Sequence, residues 1–124
     1  MGQGSIIGYD LSEEGCQISY YNEAQHEPET VKNESGEYQI PLVIGCKNDA
    51  WYIGEEARSH AKHKDGAMAT DLLAKSMHGA KIHLGRRTYD AVWLLAKFIR
   101  LTLQQFDKIE SIVFCVPEMS PDIA

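Results

Sequence analysis

This sequence predicts an α/β fold, and three observations carry that expectation. The first half strings short apolar runs between tight turns. A long helix, apolar around most of its circumference, occupies the second half. A near-continuous apolar strand follows that helix directly. With 124 residues, 44% of them hydrophobic, the chain has material for one domain with a real core. Residues 5–124 read as that domain and residues 1–4 as a flexible lead-in.

The chain opens on Ser5-Ile6-Ile7-Gly8-Tyr9-Asp10, an apolar strand that runs into a lone carboxylate. After the turn Leu11-Ser12-Glu13-Glu14-Gly15 it returns through Cys16-Gln17-Ile18-Ser19-Tyr20-Tyr21. There Ile18 and Tyr20 alternate with Gln17 and Ser19, the pattern of a half-buried strand. Two roles are open for Asp10: capping the turn, or holding water on a metal ion while the turn amides face an anion. Residues 29–32 form a short third strand, and Asn33-Glu34-Ser35-Gly36 carries turn chemistry. Residues 40–45 form one apolar strand, with Pro41 at its start or on an edge. Asn48-Asp49 then turns the chain into Trp51-Tyr52-Ile53.

A helix is expected over residues 54–62, with acids in its first turn and bases in its last, as the helix dipole favours. Residues 70–77 form a second, ended by Gly79, and residues 81–84 a short strand before the turn Gly85-Arg86-Arg87. Thr88 is the expected N-cap of the long helix, residues 89–106. Val92, Ala96, Ile99, Leu103 and Phe106 share one face of it. Trp93, Leu94, Phe98 and Leu101 cover much of the rest, so it should pack on more than one side. Residues 110–116 read as an interior strand covered on both faces. Ser120-Pro121-Asp122 has the chemistry of a helix start, which predicts a fragment of a longer protein cut where its next element begins.

Composition excludes several function classes. A net charge of −6 argues against a nucleic-acid backbone as partner. No apolar run is long enough to span a bilayer and no secretory signal opens the chain, which predicts a cytoplasmic protein without membrane contact. Cys16, Cys46 and Cys115 form no C-x-x-C pair and read as reduced thiols. His60 and His63 share a helix face with no further ligand at metal-site spacing, so surface histidines are expected rather than a metal site.

Four stretches together resemble the start of the actin, sugar kinase and heat-shock chaperone ATPase superfamily, most of all the seventy-kilodalton chaperones. Ile7-Gly8-Tyr9-Asp10-Leu11 resembles the first phosphate motif, a Gly-x-Asp-Leu-Gly strand leading into a Thr-Thr turn. Asn33-Glu34-Ser35-Gly36 followed by Ile40-Pro41-Leu42-Val43 is similar to the next turn and its Pro-bearing strand. Ile53-Gly54-Glu55-Glu56-Ala57 resembles a Val-Gly-x-x-Ala helix opening, and Ile112-Val113-Phe114-Cys115-Val116-Pro117 a Val-x-x-Val-Pro strand. The order of the four is the family's, across nearly the whole chain.

The resemblance implies a ribonuclease-H-like subdomain: a mixed sheet of three antiparallel strands, a long helix, then a parallel strand. That subdomain would form one wall of a two-lobed nucleotide clamp. Asp10, Leu11, Ser12, Glu13, Glu14 and Gly15 would line the phosphates, with Asp10 reaching magnesium through water. Lys75 falls near the family's catalytic lysine, a solvated helix lysine being the other reading. Pro117 falls at the proline that couples nucleotide state to the neighbouring domain, or else simply ends a strand. ATP and magnesium are implied for the longer parent protein, and neither for this chain alone. The implied partners are the rest of the same polypeptide, or further copies of the chain meeting through surface left bare. Glu13 and Glu14 depart from the family, standing where its members place phosphate-contacting hydroxyls. A carboxylate about 5 Å from a phosphate oxygen, at an effective dielectric near 20, costs roughly 3 kcal/mol per pair of unit charges. Two expectations therefore stand side by side: a nucleotide-binding domain with impaired hydrolysis, and a non-enzymatic scaffold that kept the fold.

Overall fold

The computed structural model describes residues 4–22, 27–32, 36–47, 50–61 and 67–116. Strand β1 (Ser5–Leu11) buries Ile7, Tyr9 and Leu11 and exposes Ile6 and Asp10, the period of two that a pleated strand imposes. Strand β2 (Gly15–Asn22) returns antiparallel, setting Ile18 beside Tyr9 and Gln17 beside Asp10. Strand β3 (Glu27–Thr30) continues the meander on the far side of β2, and β4 (Gln39–Pro41) pairs with the near end of β2. On the other side of β1 runs β10 (Ile109–Cys115), parallel to it, with Val113 beside Gly8 and Cys115 beside Asp10. The main sheet is thus mixed, in the order β10-β1-β2-β3 with β4 off β2. The folded body begins one residue earlier than expected: Gly4 is buried against Glu110, and the Ser5 amide donates to the Lys108 carbonyl at 2.9 Å.

The expected single strand over residues 40–45 is two strands in two sheets. Beyond Pro41 the chain kinks, the Val43 amide donating back to the Pro41 carbonyl at 2.8 Å. Strand β5 (Ile44–Lys47) then joins β6 (Ala50–Ile53) and β7 (Ala67–Ala69) in a second sheet, ordered β6-β5-β7. A proline has no N–H to give a ladder, so a strand containing one is easily ended there. Helix α1 (Gly54–Ala61) follows β6 with Glu55 and Glu56 in its first turn, as the sequence predicts. Helix α2 (Leu72–Met77) is short, entered through Asp71 in the left-handed conformation (φ 56°).

A hairpin of β8 (Lys81–Leu84) and β9 (Arg87–Asp90) precedes helix α3 (Ala91–Leu103). Thr88 is therefore not the helix cap. It pairs with His83 across the hairpin, and Asp90, with extended backbone, stands at the cap position. The buried face of α3 is Ala91, Leu94, Phe98 and Thr102, while Val92 is 57% exposed. A helix apolar on so many sides offers the core more than one stripe. The one chosen places the Thr102 hydroxyl over Tyr9, which a purely apolar count overlooks. A single core joins all three sheets, from Ile7 and Ile18 through Ile44 and Leu72 to Leu84 and Phe98.

Strand β10 is likewise not interior. Among the described residues it pairs with β1 alone, and Val113 (62% exposed), Phe114 (48%) and Val116 (55%) lie open at the sheet's edge. No described helix is long and apolar enough to cross a membrane.

Candidate functional site

The β1–β2 turn is the candidate site, and its residues divide by role. Leu11 is buried in the core. Ser12 and Gly15 close the turn on themselves: each amide donates to the other's carbonyl, at 2.8 and 3.2 Å, and the Ser12 hydroxyl donates to the Gly15 carbonyl at 3.1 Å. Gly15 is demanded by packing, since a Cβ there would stand 2.3 Å from the Ile40 carbonyl oxygen. At Gly8 a Cβ would crowd only the Ser19 hydroxyl, at 2.7 Å, which can rotate aside. Gly15 thus has a reason within the sheet that needs no ligand.

At the tip, the Glu13 and Glu14 amides have no acceptor among the described residues. Glu14 is exposed, and its carbonyl accepts from the Leu42 amide at 3.4 Å. Glu13 turns away from the tip. Its Oε2 accepts from the Ala74 amide at 3.2 Å, tying the turn to the first turn of α2. A carboxylate meeting a free amide in a helix's first turn is the arrangement the helix dipole favours. Lys75, next to Ala74 in sequence, is half-buried, with its amide donating to the Asp71 carbonyl at 3.0 Å. The structure therefore brings the turn and the Lys75 segment together, through Glu13 rather than through the lysine.

Asp10 ends the exposed face of β1, flanked in register by Gln17 and Cys115. Its carboxylate makes no hydrogen bond or ion pair among the described residues, so it caps nothing there. No three His, Cys, Asp or Glu side chains converge on a point among the described residues. Pro117 and His63 lie outside the described residues. Among the described residues the turn thus offers two amides without an acceptor, with exposed Glu14 at the tip and the Glu13 carboxylate drawn off to Ala74.

Beneath the turn lies a buried polar chain that the sequence alone did not signal. Thr102 Oγ1 donates its one hydrogen to the Ile99 carbonyl at 2.7 Å, so it accepts from the Tyr9 hydroxyl, also at 2.7 Å. Cys16 joins them from β2. Burial, and after it the neighbouring Cys16, pushes the Tyr9 phenol far above its ordinary range, Thr102 opposing slightly. Burial pushes the Cys16 thiol up to about 11. These groups are neutral structural partners that lock α3 to β1 and β2. Cys46 is half-buried and Cys115 exposed, and none of the three cysteines forms a disulfide among the described residues.

No curated protein matches the chain. Residues 27–124 match the model of a family described as "Family of unknown function (DUF5716) C-terminal". The match takes in β3 through β10 and starts after the Asp10–Gly15 turn. Covering most of the chain, it establishes that this protein belongs to the family of unknown function DUF5716, in that family's C-terminal part.

Proposed function

We propose that the chain is a ribonuclease-H-like subdomain of the actin, sugar kinase and heat-shock chaperone type, kept as a protein-interaction scaffold rather than a nucleotide-hydrolysing wall. The strand order supports the fold: an antiparallel β1-β2-β3 meander, a helix joined to β1 through Tyr9 and Thr102, and a last strand parallel to β1. One observation carries the loss of nucleotide binding, the Glu13 carboxylate held on the Ala74 amide. It puts a resident negative charge between the turn and α2, where an incoming phosphate would need to lie. Repulsion of roughly 3 kcal/mol per charge pair cancels what two neutral hydrogen bonds of about 1 kcal/mol each contribute.

The second reading, nucleotide binding by a longer polypeptide that includes this chain, draws support from Asp10. That carboxylate is exposed at the mouth of β1 and is not engaged by any described residue.

Calorimetric titration with magnesium-ATP distinguishes the two. The scaffold reading expects no binding below millimolar concentration, by this chain or by a longer polypeptide containing it. It also expects Glu13→Thr with Glu14→Thr to tighten binding by at least tenfold, about 1.4 kcal/mol. Micromolar binding to the unmodified protein, unchanged by the double substitution, would sink it.

A further inference from the structure

The chain is acidic overall, yet its charge is segregated. Residues 72–89 hold four of the 12 Lys and Arg residues (Lys75, Lys81, Arg86 and Arg87) and none of the 18 Asp and Glu residues. Three of the four lie on the β8–β9 hairpin. Ile82 and Leu84 anchor that hairpin in the core, while Lys81, His83, Arg86 and Arg87 are exposed. Lys81 is tempered by Asp90, its register partner across the hairpin. Arg86 and Arg87, at the turn, make no ion pair among the described residues.

Two residues along β9 from Arg87 a group of three aromatic rings begins. Tyr89 follows Arg87 by two residues on the same strand, and so shares its face. Its ring stacks on Trp93 with centroids 5.1 Å apart, and Trp51 closes the group at 5.5 Å from Tyr89 and 5.7 Å from Trp93. Trp51 and Tyr89 are half-buried, whereas Trp93 is 46% exposed and presents ring surface to solvent.

We propose that the β8–β9 hairpin and the Trp51–Tyr89–Trp93 group form one docking surface for an acidic protein segment carrying an aromatic side chain. Two guanidiniums without an ion pair among the described residues suit carboxylates, which they bind in a bidentate fork. An exposed tryptophan backed by two other rings suits a flat apolar anchor, the residue type that concentrates binding energy at interfaces. Charge argues against a nucleic acid on the same surface. A duplex or long single strand presents a continuous row of phosphates, and tight binding needs about six or more of them neutralised. This patch is small, and the surrounding chain would repel the rest of the row. A short acidic peptide meets only the patch. The inference is independent of how the β1–β2 turn treats nucleotides.

The test is fluorescence anisotropy on the full chain at low salt, with a labelled glutamate-rich peptide carrying two phenylalanines as the probe. Binding should weaken as salt rises. It should fall at least tenfold in Arg86→Glu with Arg87→Glu, fall in Trp93→Ala, and fall when the peptide's phenylalanines are replaced by alanine. Lys32→Glu, an equal type of charge change elsewhere on the surface, should leave it within twofold. Far-ultraviolet circular dichroism checks the fold of each variant. If charge reversal disturbs it, Arg86→Gln with Arg87→Gln carries the same expectation at smaller size. Absence of probe binding overturns the proposal. So does an equal loss in Lys32→Glu, or an oligonucleotide of the same length that binds more tightly than the peptide.

Discussion

The Tyr9 hydroxyl donates to Thr102 Oγ1 at 2.7 Å, joining the centre of the main sheet to the last turn of α3. The direction of that bond makes the two ends unequal. Thr102→Val strips a buried phenol of its acceptor, at a cost of about 1–3 kcal/mol. Tyr9→Phe leaves the threonine still bonded to Ile99, and should cost about 1 kcal/mol. Urea denaturation of both variants measures the difference. A larger loss in Tyr9→Phe than in Thr102→Val would mean the proton runs the other way.

Alkaline pH should weaken the fold through the same cluster. Burial raises the folded-state pKa of Cys16 from 9.0 to about 11 and that of Tyr9 in the same direction. A pKa raised on folding means that the stabilisation is complete below the unfolded value and is lost as pH climbs through the folded one. The loss should therefore begin near pH 9 and continue past 11, with Cys16 contributing about 2–3 kcal/mol. Cys16→Ala should flatten the pH 9–11 part of a stability profile. At neutral pH a thiol reagent should modify exposed Cys115 first and buried Cys16 only on unfolding.

Asp10→Ala should leave stability within about 0.5 kcal/mol of the parent, because no described group bonds its carboxylate. Thermal melting checks this. A loss above 1 kcal/mol would restore the role of turn cap.

The open edge of β10 should drive association. Val113, Phe114 and Val116 are all about half exposed or more, beside backbone that, among the described residues, is paired on one side only, by β1. Edges of this kind recruit strands. Light scattering should detect oligomers of the isolated chain at high concentration, and Val113→Lys should reduce them. A clean monomer throughout would show the edge to be self-sufficient.

Local chemistry was enough to read most elements from the sequence. Strands β1, β2, β6 and β8, and helices α1 and α2, follow from alternation, acidic first turns and glycine stops, all of which act within a few residues. The course of α3 was equally legible, from its run of apolar residues. What the sequence left undecided were choices between chemically equivalent options. Nothing local tells which apolar stripe of α3 meets the core, and in the fold Leu94, Phe98 and the Tyr9-bonded Thr102 face inward while Val92 and Ala96 do not. Pro41 signals an edge or a start, but only packing hands residues 44–47 to a second sheet. The Thr88 hydroxyl suits a helix cap, yet its pairing with His83 extends a hairpin instead.

The candidate site divides the same way. Sequence by itself determined that a lone carboxylate and two glutamates crowd the β1–β2 turn, because charge and order are properties of the chain. Only tertiary structure decided where those charges go. The Ala74 amide that holds Glu13 lies sixty-one residues away, and the rings that meet at Tyr89 come from β6, β9 and α3. Contacts between distant segments depend on how the whole core closes, so no local pattern records them.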